Sequence, residues 1–397
     1  MNALAYAWRS LVRQPARAVL GVLGVAAVGA LLFDMLLLSE GLVLSMRDLL
    51  DRTGYDIRVT AGDPGRDAGP LIDEAAAVAA AVSAQPSVRS AITVRLADAR
   101  LAGASSAVRP RRAFLQGIGG EGGRPWTRRR GRDPMGTLEV VLNDEGVRAL
   151  GVEIGSEVTV SVSSCSGNEE APPPVTFRVV GVVTFPFDSP DDITAGLTAA
   201  GLADACGTAD HGVAHAVMVA SRGDAARAAA DISTLRPDLR VLTTDEALGA
   251  FQEQGFSYFR QISTVLTTVT VSFALLLIAV LLTVSVNQRL GEIAALRALG
   301  FSRRRVVADV LCESALTVGI GGGLSLPLGA LLAVWLDSIL KRMPEIPTEL
   351  HFFVYHSDAL LVHVSLLAAT ALLAALYPMA TVARLPIAAT LRNEVVS

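Results

Sequence analysis

Lysine is almost missing from this sequence: Lys341 is the only one among 397 residues. A phosphate-cradling loop of the Walker A kind needs a lysine directly after glycine to reach the phosphates, and Lys341 follows Leu340. Nucleotide hydrolysis by such a loop in this sequence is therefore excluded. The zinc-protease spacing HExxH is missing as well. His211 and His215 flank a strand predicted over residues 213–219, where side chains four apart share a face but stand too far apart for one ion. Both read as surface residues, and no metal site is expected. Outside the short segments described below the densest basic run is Arg128, Arg129, Arg130 and Arg132, and the formal net charge is -4, so nucleic-acid binding is not expected. That arginine run reads as a solvated loop, with contact to anionic lipid or a partner as the alternative.

Charge is also scarce in four long stretches, residues 18–38, 262–286, 314–336 and 359–382. Each holds about 20 residues or more, enough to cross a hydrocarbon core as helix. Arg9, Arg13 and Arg17 precede the first stretch with no acid among them, and Arg289, Arg297, Arg303, Arg304 and Arg305 lie within residues 287–305 against Glu292 alone. By the positive-inside rule both segments face the cytoplasm. The fold predicted is membrane α-helical: four transmembrane helices, the first two extended outward as a stalk, both termini cytoplasmic, and an α/β domain inserted on the extracytoplasmic side. The setting that follows is the bacterial cytoplasmic membrane, crossed several times, with the large domain outside.

Periodicity and breakers divide the chain further. Residues 1–16 read as an interfacial helix, with Leu4, Trp8 and Leu11 on one face, broken by Pro15. Residues 17–53 read as the first transmembrane helix plus stalk, because Leu42, Met46, Leu49 and Leu50 continue its apolar face until Gly54. Alternation and turn residues predict a mixed α/β domain over 54–245 with a β-rich subdomain inserted at about 112–183. A second stalk and transmembrane helix follow over 246–286. Then come a cytoplasmic helix at 287–305, a transmembrane helix at 306–336, an exterior loop at 337–358, a last transmembrane helix at 359–382 and a cytoplasmic tail at 383–397.

Polar residues inside the apolar stretches are few. Asp34 is the one carboxylate within the first, where an intramembrane charge asks for a partner or a watered cavity; His363, the nearby interface and a hydroxyl are the candidates. Glu313 lies four residues after Asp309 at the inner end of the third stretch, beside arginines that can neutralise it. Gly319, Gly323, Ser325 and Gly329 give that helix small-xxx-small pairs, read as packing within the chain or as a dimer face, and Pro327 predicts a kink. Cys165 and Cys206 both fall in the exterior insertion, where an oxidising compartment lets them pair; two free thiols are the alternative.

Residues 287–306 carry the sharpest pattern, NQRLGEIAALRALGFSRRRV. Glu292, Ile293, Leu296, Arg297, Ala298, Leu299 and Gly300 form a short helix closed by Gly300, with Arg303 just beyond. This segment resembles the cytoplasmic loop signature of the FtsX/MacB-like ABC permease family, in which a Glu-Ile pair precedes Leu-Arg-Ala-Leu-Gly and basic residues. Ala383, Arg384, Leu385, Pro386, Ala389, Leu391 and Arg392 resemble the family's closing motif, and the layout of one span, an external domain and three spans resembles the whole architecture. Ala294 and Phe301 depart from the small residues usual there, and an Asp common after Leu385 is missing.

The resemblance implies a permease of the mechanotransmission kind, lipoprotein-releasing or split-exporter. Its cytoplasmic helix, from Glu292 to Arg303, would be gripped by a separate ABC ATPase that holds the ATP and Mg. No cofactor is expected on this chain, which is not expected to be an enzyme. Implied partners are that ATPase, a second permease chain as homodimer or heterodimer, and a membrane-fusion protein or lipoprotein cargo. The implied work is release or export of lipoproteins, amphiphiles or drugs; the alternative is a signalling platform that activates an extracellular cell-wall hydrolase.

Overall fold

In the computed structural model the chain is described over residues 9, 12–13, 15–62, 69–103, 109–165, 172–207, 212–254, 257–287, 302–343 and 346–384. It divides into two units. One gathers residues 1–42, 256–338 and 351–397; the other, the head, gathers residues 43–255 and 339–350.

Long helices make the first unit. α1 runs unbroken from Pro15 to Arg52, 38 residues, or about 57 Å at 1.5 Å per residue. Proline suits its first turn, where the missing N–H would have no partner anyway. Its apolar length is Ala18–Arg52. Counting the other helices in chain order, α7 spans Ser257–Asn287, α8 spans Arg303–Leu340 and α9 spans Ser357–Arg384. Pro327 lies inside α8 without ending it.

The expected count of four transmembrane helices is corrected here to three. Among the described residues, Ala18–Arg52, Leu311–Leu340 and Ser357–Leu376 are long and apolar enough to cross a membrane, whereas α7 offers only the shorter apolar segment Thr264–Val280. The physical reason is length: residues 264–280 as helix reach about 25 Å at 1.5 Å per residue, short of the about 30 Å of a hydrocarbon core. The placement of the C-terminus in the cytoplasm rested on four crossings and is withdrawn with that count. α7 nevertheless packs in this unit, its Ile278 buried with Val25, Val318 and Ala374 from the other three helices.

Close approach of α1 and α8 depends on small residues. A Cβ on Gly321 would stand 2.7 Å from Val25 Cβ and 2.9 Å from the Val22 carbonyl, and one on Gly29 would stand 2.8 Å from Ser325 Cβ. Gly329 faces Phe33 and Ala30 in the same way. Gly319 and Gly323, by contrast, have nothing within 4 Å of a built Cβ.

Among the described residues the head contains ten strands: β1 Ile57–Thr60, β2 Val88–Gly103, β3 Arg111–Gly119, β4 Thr127–Gly131, β5 Glu139–Leu142, β6 Glu157–Ser164, β7 Val175–Thr184, β8 Thr194–Thr198, β9 Ala216–Ser221 and β10 Arg240–Thr243. Its short helices are α2 Ala75–Ser83, α3 Asp144–Leu150, α4 Ala199–Ala205, α5 Ala225–Leu235 and α6 Thr244–Gln254. Pairings β2–β3, β3–β8, β8–β5, β5–β7, β7–β6 and β6–β2 close a six-stranded ring. β3–β8 and β5–β7 are its parallel pairs. The alternate residues Leu101, Leu115, Leu142, Val160, Phe177 and Leu197 fill the interior, and Leu202 of α4 joins them.

Two strands are long enough to serve twice. β2 pairs with β6 through residues 98–103 and with β9 through residues 88–94, so the ring continues into an open sheet β9–β1–β10. α2 and α5 cover that sheet through Val78, Val82, Ala228 and Ile232, packed on Val59, Val217 and Val219. β7 pairs with β6 through 175–178 and with β4 through 181–184. The arginine run expected as a loop is thus a strand, since its backbone has the outer half of β7 to bond to.

Cys165 and Cys206 are disulfide-bonded, with Cα atoms 5.7 Å apart and 41 residues of separation, and both belong to the ring core. Cys312 is free.

Two outcomes test this packing. Gly321→Leu should lower the stability of the detergent-solubilised protein by about 1–3 kcal/mol through overpacking, while Gly319→Leu should leave the unfolding midpoint unchanged. Replacing Cys165 and Cys206 together by Ser should cost about 4 kcal/mol on the chain-entropy estimate for a loop of this length, read as a lower denaturant midpoint of the head's tryptophan fluorescence.

Candidate functional site

The place where chemistry-bearing side chains converge is the base of the head, where α1 enters and α6 leaves. Gly54, at φ +77°, ends α1, and the next residues carry the chain directly into β1. Asp56 is the hub. Its N–H donates to the Val219 carbonyl at 3.1 Å and its carbonyl accepts from the Thr244 N–H at 2.8 Å. Its carboxylate accepts the Ser221 N–H at 2.8 Å and also the Ser221 hydroxyl. One residue therefore ties the end of α1 to β9 and to the start of α6.

α6 starts by a capping box. The Thr243 hydroxyl accepts from the Glu246 N–H at 3.1 Å, and the Glu246 carboxylate accepts from the Thr243 N–H at 2.9 Å, which satisfies two otherwise unpartnered donors. The sequence Thr243-Thr244-Asp245-Glu246 carries this signal openly. Arg47 of α1 forms an ion pair with Asp245. Arg52 pairs with Asp48 one turn back at 2.7 Å and with Glu349 at 3.2 Å.

Glu349 lies in residues 339–350, the exterior segment that belongs to the head. A second attachment holds this segment: the Thr348 N–H donates to the Asp188 carbonyl at 2.9 Å, with the Thr348 hydroxyl at 3.3 Å from the same oxygen. The Asp188 side chain accepts from Asn143 Nδ2 at 2.8 Å, and that nitrogen also reaches the Asp192 carbonyl at 2.7 Å. Asn143 meanwhile caps α3 through Gly146 N–H at 2.9 Å. Burial pushes the Asp188 carboxyl up to about 6, with Asp192 adding to it and the hydrogen bonds from Thr194 and Asn143 opposing. Asp56, Asp188 and Asn143 were missed by sequence reasoning. Their signal, a helix cap or turn residue before a periodic stretch, is the same at dozens of unimportant positions.

Sequence-predicted residues fall in three groups. Glu292, Ile293, Leu296, Arg297, Ala298, Leu299 and Gly300 lie outside the described residues, as does the closing motif from Leu385 onward; Arg303 is the first residue of α8. In the helical unit, Asp34 is 1% exposed, and neither of its carboxyl oxygens has a hydrogen-bond partner among the described residues. It does not pair with His363. That ring instead sits 2.9 Å from Ser325 Oγ and edge-on to Phe33, centroids 5.3 Å apart. The Ser325 hydroxyl donates to the Gly322 carbonyl at 2.7 Å, so His363 Nε2 must carry the proton that meets Ser325, leaving Nδ1 without a donor. Ser325 and Gly329 line the α1 contact, while Gly319 and Gly323 do not. Glu313 is half-buried, its carbonyl accepting from the Thr317 hydroxyl at 3.0 Å.

His215 is not on the surface as expected. It is buried, its Nδ1 accepts the Leu96 N–H at 3.0 Å, and burial together with nearby Arg95 disfavours its charged form. His211 lies outside the described residues. No group of three or more His, Cys, Asp or Glu among the described residues is arranged to hold a metal ion.

Comparisons with known proteins give this geometry a family. Residues 18–235 match the family described as MacB-like periplasmic core domain, and residues 264–387 match FtsX-like permease C-terminal. No curated protein matches. Among solved structures the chain is similar to the periplasmic region of MacB from Actinobacillus actinomycetemcomitans at 14% identity and TM-score 0.37, covering 50% of this chain and 94% of that one. It is also similar to the extracellular domain of the ABC-type transporter YknZ from Gram-positive bacteria at 13% identity and TM-score 0.33, covering 48% and 99%. The domain matches carry the assignment. Both matched regions are permease parts rather than catalytic ones; the ATPase activity of such an assembly resides in a separate subunit, and the core domain lies outside the cytoplasmic membrane that the apolar helices cross. The chain belongs to the FtsX/MacB-like ABC transporter permease family.

Proposed function

We propose that this permease transmits ATP-driven motion from its partner ATPase to the head, and that the head's rearrangement releases or exports an amphiphilic load such as a lipoprotein or drug. The observation that carries the reading is α1, one helix from Pro15 to Arg52, whose last turns are ion-paired to α6 and to the exterior segment. A helix of that length is stiff enough to carry a displacement along its axis, and Asp56 joins its end to two further elements of the head. Movement outside, not passage through a central pore, is then the work. The ATPase grips the segment from Glu292 to Gly300, with Arg303 beside it, and a second permease chain completes the assembly; a membrane-fusion protein or a lipoprotein is the external partner.

Two measurements bear on this reading. Glu292→Ala and Arg297→Glu, made separately, should each weaken co-purification of the ATPase about tenfold or more by removing or reversing an interfacial charge, while leaving head folding intact. Reconstituted wild-type complex should couple ATP hydrolysis to release of cargo from proteoliposomes. ATPase stimulation confined to a bound cell-wall hydrolase, with no cargo released, would replace transport by signalling.

A pH effect follows from Asp188, where the exterior segment is attached. Its folded-state value of about 6 stands above the ordinary 3.8, so the folded head binds this proton more tightly than the unfolded chain does. The group's destabilising effect is present above pH 6 and disappears as pH falls from 6 towards 4. Asp188→Asn should raise head stability at pH 7.5 by at most about 3 kcal/mol and leave it unchanged at pH 4. Thermal unfolding of both proteins across that range decides the matter; parallel curves would show that Asp188 does not carry the effect.

A further inference from the structure

β4 is the one strand of the head, among the described residues, that bonds to a single neighbour along an exposed edge. At the far end of the sheet β10 has α5 and α6 beside it, and every strand of the ring has partners on both sides. β4 pairs only with β7, Thr127 opposite Thr184 and Gly131 opposite Gly181, with Arg129 bulged between the pairs at Arg128 and Arg130. All five of its residues are exposed. Its outer row of N–H and C=O groups is therefore available to a further strand.

The charges on that edge are only partly neutralised from within. Arg128 lies 3.4 Å from Asp133, which is itself fixed by the Trp126 indole N–H at 3.0 Å. Arg132 forks onto Glu139, which the backbone N–H groups of Met135 and Gly136 also hold, and these donors keep that carboxyl well below the usual range. Arg129, in contrast, reaches only the Thr184 hydroxyl among the described residues, at 2.8 Å, and Arg130 is 4.0 Å from Asp144. Two guanidiniums thus face solvent with charge to spare. At the end of the strand Ile154 is 46% exposed, its Cδ1 3.1 Å from where a Cβ on Gly131 would stand.

Charged edges protect sheets against pairing with copies of themselves. The protection is selective. A second β4 laid against the first would set arginine opposite arginine, which is unfavourable, whereas acidic residues opposite arginine are favourable. The same three arginines that forbid self-association therefore select for a strand of the opposite sign, and Ile154 beside Gly131 offers it an apolar contact. We propose that the free edge of β4 is a docking site for an extended acidic segment of a separate extracytoplasmic protein, added to the sheet as an eleventh strand with carboxylates on Arg129 and Arg130.

This inference rests on the head alone and stands or falls independently of force transmission. The test uses full-length permease in detergent and a fluorescent ten-residue peptide alternating Glu and Val. Binding should be saturable, and Arg129→Glu combined with Arg130→Glu should weaken it about tenfold or more with unchanged thermal unfolding. The same variant should instead bind the Lys-Val peptide. N-methylation of alternate backbone nitrogens in the Glu-Val peptide should abolish binding, because an added strand needs its ladder. Equal binding of the methylated peptide, equal binding to wild type and the double variant, or a variant-sensitive binding of anionic phosphatidylglycerol vesicles with none of the peptide would each overturn the proposal.

Discussion

Hydrocarbon offers no partner to a backbone N–H or C=O, so a chain crossing it must satisfy every such group within its own helix. That constraint makes α1 what it is. Once its 38 residues are committed to a single hydrogen-bonded ladder, bending it means opening bonds that water cannot replace. The glycines in α1 weaken a helix by about 1 kcal/mol each relative to alanine, and three of them sit where a neighbour comes close to the space a side chain would take. Gly29 meets Ser325, Gly21 meets Thr317, and Gly41 meets the backbone at Phe352 and Val354. Intrinsic helix propensity is given up at points of contact and recovered as packing.

The head solves a different problem, how to be stiff without hydrocarbon around it. A closed ring removes most edges, and its interior is filled from alternate positions of every strand. β2 and β7 extend the order past the ring because each gives half its length to one neighbour and half to another. Register then links the ring to the open sheet through one continuous strand, with no flexible connection between them. The disulfide between Cys165 and Cys206 joins the end of β6 to the residue after α4, binding the helix that closes the ring to one of its staves.

What could be read from the sequence followed from how local each signal is. The continuity of α1 is written in its periodicity and in the breaker Gly54, and the helix observed runs from Pro15 to Arg52. Three features were not readable. The segment 127–131 has no alternation at all, TRRRG, and becomes a strand only because the outer half of β7 is free to receive it. β8 and α4 follow a stretch dense in proline and aspartate that reads as irregular, and their place is set by a parallel pairing with β3, more than 70 residues away in sequence. α7 failed in the opposite direction: residues 262–286 read as one apolar run, whereas the apolar segment among the described residues is Thr264–Val280, about 25 Å as helix and short of a hydrocarbon core. His215 looked exposed because a lone histidine carries no sign of the N–H that will meet it, here from Leu96. The family signature at Glu292 to Gly300 was the most legible part of the chain, and it is local by nature.

The attachments at the base of the head differ in kind, and the difference decides which could bear load. Arg47 with Asp245 and Arg52 with Glu349 are half or more exposed on the arginine side, and such pairs contribute about 0–1 kcal/mol each. They can set the angle at which α1 arrives but cannot hold it against a pull. Asp56 is another matter, because its carboxylate accepts two hydrogen bonds from one residue of β9 while its own backbone bonds to β9 and α6. Hydrogen bonds to a charged group are worth about 1.5–3 kcal/mol each, and three elements must separate together before any one is lost. If α1 moves the head, the movement enters through Asp56, only four residues beyond the helix end. The ion pairs on either side keep that entry aligned.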